Sequence, residues 1–410
     1  MSEIVLVKIS GADHPGITHA LTSVLAKYQI TILDMGQSVI HDTLSLGILI
    51  EVPDEATSCP IFKDLIFTAH EMGLDIRFSP IGEDDYEHWV KEQGQARHIV
   101  TLLGQRITAE HIAKVAKVVA DNELNIDQIT RLSGRLSRLI ENTRPASIEM
   151  WLRGAASNLE TLHAAFLHLA QDLDVDIAIQ EDDIYRRNRR LVCFDMDSTL
   201  IQTEVIDELA AIAGVGNQVS SITEAAMRGE IDFKESFRQR LALLEGMDEN
   251  VLASVAERLP ITDGAERLIT NLKRLGYKVA ILSGGFTYFA EYLQHKLGID
   301  YVFANQLDFE SGKLTGRVLG KIVDGHCKAE LLRQLAEQDN IRLEQVIAVG
   351  DGANDLPMLS IAGLGIAFHA KPIVKQQARH SITTTGLDGI LYLLGMRDRD
   401  MEALSSDKGS

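Results

Sequence analysis

The stretch Leu191-Val192-Cys193-Phe194-Asp195-Met196-Asp197-Ser198-Thr199 combines an unbroken apolar run with two carboxylates that follow it directly. A short run of this kind is typical of a strand that is buried on both faces of a parallel sheet. Two similar runs, at residues 279–282 and 346–349, are separated from the first and from each other by helical segments. The pattern predicts an α/β fold with a Rossmann-like, doubly wound parallel sheet over residues 186–400.

Polar residues also follow the other two apolar runs. Ser283 and Gly284 offer a hydroxyl group and an approachable backbone amide, both of which can hold phosphate oxygens. Asp351, Asn354 and Asp355 add two carboxylates and an amide after the third run. Ligands of doubly wound sheets bind outside the carboxyl ends of the strands, so the three clusters are expected to converge there.

These clusters resemble the signature of the haloacid dehalogenase superfamily of aspartate-nucleophile phosphotransferases. The matching elements occur in the order of that family: Asp195-x-Asp197-x-Thr199, Ser283, Lys328 and Gly350-Asp351-x-x-x-Asp355. The resemblance implies that Asp195 attacks phosphorus to form an aspartyl-phosphate and that Asp197 is the general acid and base. Asp197 also favours a hydrolase or mutase, because dehalogenases and P-type ATPases lack a carboxylate at that position.

The same resemblance implies a cation and a phosphate site. Mg²⁺, a hard cation that prefers oxygen ligands, is expected on the side chains of Asp195 and Asp351 and on the backbone carbonyl of Asp197. Asp355 is expected in the outer shell or as the residue that orients Lys328. The residues expected to hold the phosphoryl group are Ser283, Gly284, Lys328 and Asn354.

Residues 202–262 separate the first two clusters and predict a small helical cap. Within it, Glu204, residues 222–227, Phe233 and Arg240 resemble the cap of the phosphoserine phosphatase family, and residues 191–395 follow that family. The resemblance implies that Glu204 receives the substrate ammonium and Arg240 the carboxylate, while Met227 and Phe233 pack over the substrate. The expected reaction converts O-phospho-L-serine to L-serine and phosphate, the last step of L-serine biosynthesis.

The first 181 residues predict two smaller α+β modules. Strand and helix patterns over residues 1–82 follow the order strand, helix, strand, strand, helix, strand, and this order begins again over residues 96–181. Between the modules, the stretch from Gly82 to Ala96 is acidic and polar and contains Gly94, which favours a linker.

The repeat resembles a pair of ACT domains, which are βαββαβ modules that bind amino acids and often dimerise. Gly11, Asp13 and Gly16 lie in the loop where that family holds its ligand, and backbone amides at a helix start suit a carboxylate. The resemblance implies an L-serine effector and a homodimer. The second module lacks the Asp-x-Pro-Gly sequence in the equivalent loop.

Charge and cysteine content restrict the possible partners. The chain has 59 acidic and 40 basic residues and a net charge of −19, which argues against nucleic acid and anionic membranes as partners. The four arginines of the segment Arg186-Arg187-Asn188-Arg189-Arg190 are therefore interpreted as a solvated connector. Three cysteines and no signal-peptide pattern predict a cytoplasmic protein.

Two alternatives remain open at this point. A phosphotransferase that passes the phosphoryl group to another alcohol would share the aspartyl-phosphate. An amino-acid sensor with an inactive phosphatase-like domain would share the fold, although the complete set of Asp195, Asp197, Lys328 and Asp351 argues against it.

Overall fold

The computed structural model describes residues 2–53, 58–135, 145–156, 158–228 and 230–406, apart from the side chains of Ser58, Met227 and residues 403–406. The chain divides into two compact units, Met1–Gln95 and Ala96–Ser410. In the described part, no helix is long and apolar enough to cross a membrane.

The first unit contains one βαββαβ module. Its elements are β1 (Glu3–Ala12), α1 (Ile17–Lys27), β2 (Thr31–Ile40), β3 (Thr43–Val52), α2 (Ser58–Glu71) and β4 (Asp75–Ile81). The four strands form an antiparallel sheet in the order β2-β3-β1-β4. Alternate residues of β1 and β3 are buried against the two helices, as the period of a half-buried strand requires.

The segment after β4, which was expected to be a linker, contains a helix that its polar composition did not indicate. Helix α3 spans Glu83–Glu92, and none of its residues is buried. Three acidic residues lie in its first turn and Lys91 in its last, an arrangement that stabilises the helix dipole at both ends. The rings of Tyr86 and Trp89 lie 5.9 Å apart on its surface. The polar sequence of this segment therefore predicted correctly that its side chains are exposed, but it did not predict that the segment is helical.

The second unit begins with another βαββαβ module, which confirms the predicted repeat. Its elements are β5 (Arg97–Gly104), α4 (Ala109–Asp121), β6 (Asn125–Arg131), β7 (Ala146–Arg153), α5 (Leu159–Leu173) and β8 (Asp176–Glu181). The sheet order β6-β7-β5-β8 repeats that of the first module. Thr108 caps α4 by accepting a hydrogen bond from the amide of His111.

The rest of the second unit is the predicted Rossmann-like domain with helices on both faces of the sheet. Its strands are β9 (Leu191–Phe194), β10 (Lys278–Phe286), β11 (Tyr301–Glu310), β12 (Lys313–Leu319), β13 (Val346–Gly350), β14 (Leu364–Phe368) and β15 (His380–Ile382). Its helices are α6 (Val205–Ala213), α7 (Gly216–Met227), α8 (Phe233–Ala242), α9 (Asn250–Ala256), α10 (Ala265–Arg274), α11 (Thr287–Leu297), α12 (Gly325–Gln338), α13 (Leu356–Ile361), α14 (Pro372–Gln377), α15 (Gly389–Leu393) and α16 (Asp398–Ser406).

The central strands bring the polar clusters to one edge of the sheet. The strand order is β12-β11-β10-β9-β13-β14-β15, and only β12 is antiparallel to its neighbour. Phe194 of β9 is in register with Ile281 of β10 and Val349 of β13, so Asp195 follows at the level of both neighbouring strand ends. Helices α6 to α9 lie between β9 and β10 in the sequence, where the cap was expected.

The basic segment before β9 differs from the expected solvated connector. Arg186 is buried and donates to the carboxylate of buried Glu149 on β7 at 2.6 Å. Arg189 is buried as well, with 5% of its surface exposed, whereas Arg187 and Arg190 are exposed. The arginines alternate between the inside and the surface because the segment lies between the second module and the Rossmann-like domain.

Candidate active site

A small cavity lies where the central strands end. Its volume is about 110 Å³, which suits a small ligand. Eight of the predicted site residues line it: Asp195, Asp197, Glu204, Phe233, Arg240, Gly284, Asp351 and Asn354. The predicted convergence of strand ends and cap is therefore present in the structure.

A tight turn after β9 presents two carboxylates. Ser198 has a φ of 56°, a left-handed conformation that reverses the chain between Asp197 and Thr199. The Oδ1 atom of Asp195 accepts a hydrogen bond from the amide of Met196 at 2.7 Å, and Oδ1 of Asp197 accepts one from the amide of Val205 at 3.1 Å. Both side chains are thus held by backbone amides of neighbouring turns.

Lys328 lies behind the cavity and is completely buried. Its Nζ atom lies 2.8 Å from Oδ1 of Asp195 and 2.7 Å from Oδ1 of Asp355. Helix α12 holds the lysine at its fourth position, and Asp324 caps the start of this helix through the amide of Cys327 at 2.8 Å. A buried ammonium requires such partners, because an unpaired charge away from water is very unfavourable.

The segment after β13 supplies the remaining carboxylates. Oδ2 of Asp355 accepts hydrogen bonds from the amides of Asp351 at 3.1 Å and Gly352 at 2.9 Å. Thr199 donates to Oδ1 of Asp351 at 3.3 Å, which links the first and third clusters. Both oxygens of Asp355 are therefore engaged with protein groups, while Asp351 lines the cavity.

The carboxylates outnumber the buried cation, and their pKa values reflect this. Burial, together with the Asp355 carboxylate, raises the pKa of Asp195 well above its usual range despite Lys328. Burial and then Glu204 raise the pKa of Asp197 in the same direction. Burial, Asp355 and Glu204 raise the pKa of Asp351 to about 7. Burial disfavours the Lys328 ammonium, but the two carboxylates outweigh it and raise its pKa.

The donor set fits a hard divalent cation. Carboxylate oxygens of Asp195, Asp351 and Asp355 all lie within 4.8 Å of one another. Both hydrogen bonds that Asp195 accepts from the described residues fall on Oδ1, so Oδ2 is left for a ligand. A cation bound among these oxygens would offset the excess of negative charge that raises their pKa values.

The cap contributes a pair of opposite charges to the same cavity. Arg240 on α8 is partly buried, and its Nε atom is buried with no hydrogen-bond partner in the described part of the chain. Glu204 accepts a hydrogen bond from the hydroxyl of Ser198 at 3.0 Å. Burial lowers the pKa of Arg240, and the nearby carboxylates of Glu204 and Asp207 act in the opposite direction. The unpartnered Nε marks Arg240 as a group that can receive an anion.

The end of β10 packs tightly against the turn after β9. Ser283 is buried, and its hydroxyl accepts a hydrogen bond from the amide of Gly285 at 2.9 Å. A Cβ atom at Gly285 would collide with the Asp197 carboxylate, and one at Gly284 would lie 3.2 Å from the Phe233 ring. Backbone must therefore approach closely here, which explains the two glycines.

Six lining residues were not among the predicted site residues: Ile206, Phe237, Gly285, Phe286, Gly352 and Lys371. The only charged one of these six is Lys371. It lies three residues after β14 and reaches the cavity together with Gly352 and Ile206. It lies beyond the apolar run Leu364–Phe368 by three residues, whereas the polar clusters predicted at the other strand ends begin directly after their runs. The predicted substrate contact of Met227 concerns a side chain outside the described residues.

The predicted regulatory loop lies in the first unit. Gly16 precedes α1 with a φ of 97°, a left-handed conformation that favours glycine. The amide of Asp13 donates to the carbonyl of Asp42 at 2.7 Å, and its side chain is exposed. These contacts define a turn, and the ligand role of Gly11, Asp13 and Gly16 stays a prediction.

Family models match three parts of the chain. A haloacid dehalogenase-like hydrolase model matches residues 189–363, and two ACT domain models match residues 3–79 and 96–180. The solved structure of a probable phosphoserine phosphatase from Vibrio cholerae, in unliganded form, is 34% identical and has a TM-score of 0.58. It covers 77% of this chain and 90% of its own. The fold and site thus define a haloacid dehalogenase-like hydrolase with two ACT domains.

Full-length relatives narrow this class. A phosphoserine phosphatase of Streptomyces coelicolor is 41% identical over 98% of this chain and 96% of its own length. Another, from Mycobacterium tuberculosis, is 40% identical over 97% of this chain and 95% of its own length. The chain belongs to the phosphoserine phosphatase family, whose members are metal-dependent enzymes.

Proposed function

We propose that this chain hydrolyses O-phospho-L-serine to L-serine and phosphate, the last step of L-serine biosynthesis. The observation that carries the proposal is one cavity that joins Asp195 and Asp197 to a cap bearing Glu204 and Arg240. Phosphoserine has an ammonium and a carboxylate beside its phosphate, and Glu204 and Arg240 have the opposite charges. The Nε atom of Arg240 is buried and has no hydrogen-bond partner among the described residues, which supports its assignment to the carboxylate.

The chemistry assigned to this chain has two steps. A carboxylate oxygen of Asp195 attacks phosphorus, the bond to the serine oxygen breaks, and Asp197 gives its proton to that oxygen. Asp197 then takes a proton from water, whose oxygen attacks the aspartyl-phosphate and releases phosphate and free Asp195. Burial and the Glu204 carboxylate raise the pKa of Asp197, which favours the protonated form that the first step requires.

The remaining residues bind and orient the substrate. Lys328, Ser283, Gly284 and Asn354 are assigned to the phosphoryl oxygens, and Phe233 with Met227 to the exclusion of water. Mg²⁺ is the proposed cation on Asp195, Asp351 and the Asp197 carbonyl, where it supplies positive charge to the phosphate when bound. Asp355 is assigned to the outer shell, because Lys328 and two amides already occupy its oxygens.

A phosphate-release assay tests the activity. O-Phospho-L-serine is supplied with Mg²⁺, with Mg²⁺ plus a chelator, and with an added alcohol such as homoserine. We expect release that depends on Mg²⁺ and yields inorganic phosphate. Asp195→Asn should abolish it, whereas Asp248→Asn, an exposed position near α9, should not. Activity that survives in Asp195→Asn would contradict the mechanism, and phosphorylated homoserine would favour the transferase alternative.

For the N-terminal half we propose amino-acid regulation and a homodimer in the cytoplasm. The proposed domains are 1–82 and 96–181 for the ACT pair and 186–400 for the phosphatase, with the cap at 202–262. L-Serine is the proposed effector at Gly11, Asp13 and Gly16. Edge strand β2 exposes three large apolar side chains, Ile32, Met35 and Ile40, which supports pairing with a second copy.

Two measurements test the regulatory proposal. Light scattering of the full chain should give a dimer, and Ile40→Lys should shift it toward the monomer. L-Serine should change the rate in the wild type and less so in Asp13→Asn. An unchanged serine response in Asp13→Asn would reject the loop as the effector site.

A further inference from the structure

A second and larger cavity lies within the second unit, away from the active site. Its volume is about 710 Å³, and it separates α5 and β8 of the second ACT domain from α14 and β15 of the phosphatase domain. Buried Arg189, from the segment before β9, forms part of its wall, and so does buried His380. The function proposed above uses neither residue.

Arg189 is a buried cation without a matching anion. Its Nη1 atom donates to the carbonyl of Glu344 at 3.2 Å and its Nη2 atom to the side-chain oxygen of Gln180 at 3.3 Å. Its Nε atom has no partner, and no carboxylate lies within ion-pair distance of it among the described residues. Buried charges in proteins are normally paired, so this guanidinium lacks an anion.

Two histidines on the same wall have free hydrogen-bonding capacity. Nδ1 of buried His380 has no partner in the described part of the chain. Nδ1 of His163 donates to the carbonyl of Leu159 at 2.8 Å, which leaves its other ring nitrogen as an acceptor in the neutral form. The two rings lie 6.2 Å apart. The inner wall thus offers a cation and polar ring atoms.

The charges around the cavity exclude a simple anion. Its lining includes four carboxylates, Glu160, Glu181, Asp183 and Glu344, and two guanidinium groups, Arg189 and Arg379. The four acidic residues are exposed, whereas Arg189 is buried. These four exposed carboxylates form an acidic rim, whose net negative charge would repel a free anion. A molecule with a carboxylate and an ammonium on neighbouring atoms would match both the inner cation and the outer carboxylates.

We propose that this cavity binds a free α-amino acid, with the carboxylate on Arg189 and the ammonium toward the acidic rim. The site lies in a different unit from the Gly11–Gly16 loop, so it is an additional effector site. It also goes beyond the catalytic site, since none of its lining residues lines the active-site cavity.

Helix α14 connects this cavity to the active site. The helix begins directly after Lys371, which lines the active-site cavity. It ends at Gln377, which lines the second cavity. Six residues of helix span about 9 Å, so the two cavities are joined by one short rigid element. An amino acid at the second cavity is therefore expected to alter the KM for phosphoserine more than kcat.

Calorimetry on the full chain tests the site. The probes are the twenty common L-amino acids, one at a time, with acetate and methylammonium as the two halves of the ligand. We expect at least one amino acid to bind, both halves to bind at least tenfold more weakly, and Arg189→Gln to lose at least tenfold in affinity. Arg187→Gln, an exposed neighbour paired with Asp182, is the matched control and should bind normally.

Further variants distinguish binding at this cavity from binding at the catalytic and loop sites, and they control for misfolding of the Arg189 variant. Binding should survive in Arg240→Ala and in Asp13→Asn, which alter the catalytic and loop sites, so failure here is distinct from failure of the proposed function. Ala164→Trp fills the cavity from the exposed side of α5 and should also weaken binding tenfold. The proposal is overturned if no amino acid binds, or if Ala164→Trp or a folded Arg189→Gln variant binds normally.

Discussion

The buried ammonium of Lys328 contacts Asp195 at 2.8 Å and Asp355 at 2.7 Å and so joins the segments after β9 and β13. One cation therefore fixes both the proposed nucleophile and the carboxylate that holds the amides of Asp351 and Gly352. The contact has two effects: the ammonium neutralises part of the charge of the two carboxylates, and it restricts the position of the Asp195 side chain.

Replacing this lysine should therefore affect both stability and catalysis. Lys328→Met leaves two buried carboxylates without their cation, which is expected to lower the free energy of unfolding by about 3–5 kcal/mol. The rate should fall about 10²–10³-fold through lost charge at the phosphoryl site. Urea unfolding and phosphate release measure the two effects.

The matched control is Lys234→Met. Lys234 also contacts a carboxylate at 2.7 Å, that of Asp324, but 43% of its side chain is exposed. Water screens this pair, so its loss should change stability by at most about 1 kcal/mol. Equal destabilisation by the two substitutions would contradict the importance of burial at Lys328.

Arg240 should decide which phosphomonoester is preferred. Arg240→Ala is expected to lower kcat/KM for O-phospho-L-serine more than tenfold, since losing one partner of a desolvated charge pair costs about 2–5 kcal/mol. O-Phosphoethanolamine lacks only the carboxylate, and its kcat/KM should change little. The ratio of the two constants is the measurement, and Arg238→Ala, an exposed neighbour on α8, is the control. Equal losses on both substrates would reject the carboxylate role.

Gly285 tests the close approach between β10 and the turn after β9. Gly285→Ala would push a methyl group into the Asp197 carboxylate and within 2.8 Å of Met196, so the proposed acid and base must move. We expect kcat to fall at least tenfold with a smaller change in KM, because a misplaced catalytic group mainly affects the chemical step. Gly216→Ala, with open space around its Cβ position, is the control and should remain active. A fully active Gly285→Ala enzyme would show that this spacing is unimportant.

The strands and the candidate site residues at their ends were predictable because their signals are local. Each buried strand is an apolar run, and the next residues necessarily lie at its carboxyl end. Asp195, Gly284 and Asp351 therefore line one cavity, as expected. Lys371 comes after a run of the same kind, but it lies three residues beyond the last strand residue, so the position directly after the run does not reveal it.

The errors concern residues whose environment depends on distant parts of the chain. Arg186 and Arg189 are close in sequence to exposed arginines, but Glu149 and the second ACT domain cover them. A run of basic residues does not by itself indicate which of its side chains are buried by distant parts of the chain. Helix α3 was missed for a different reason: it buries none of its residues, and its only apolar residues are Tyr86, Trp89 and Val90 among seven charged or polar ones.

His380 should make the stability of the second unit depend on pH. Burial lowers the pKa of His380 to about 3 from an ordinary value of 6.5. In the unfolded chain His380 therefore binds a proton below about pH 6.5, whereas in the folded chain it binds one only below about pH 3. The free energy of unfolding should fall with decreasing pH across this window, by up to about 1.4 kcal/mol per pH unit for one proton.

His380→Gln should remove that part of the slope, and His295→Gln, at an exposed position on α11, should not. Urea unfolding at several pH values measures the difference, and equal slopes in wild type and His380→Gln would contradict it.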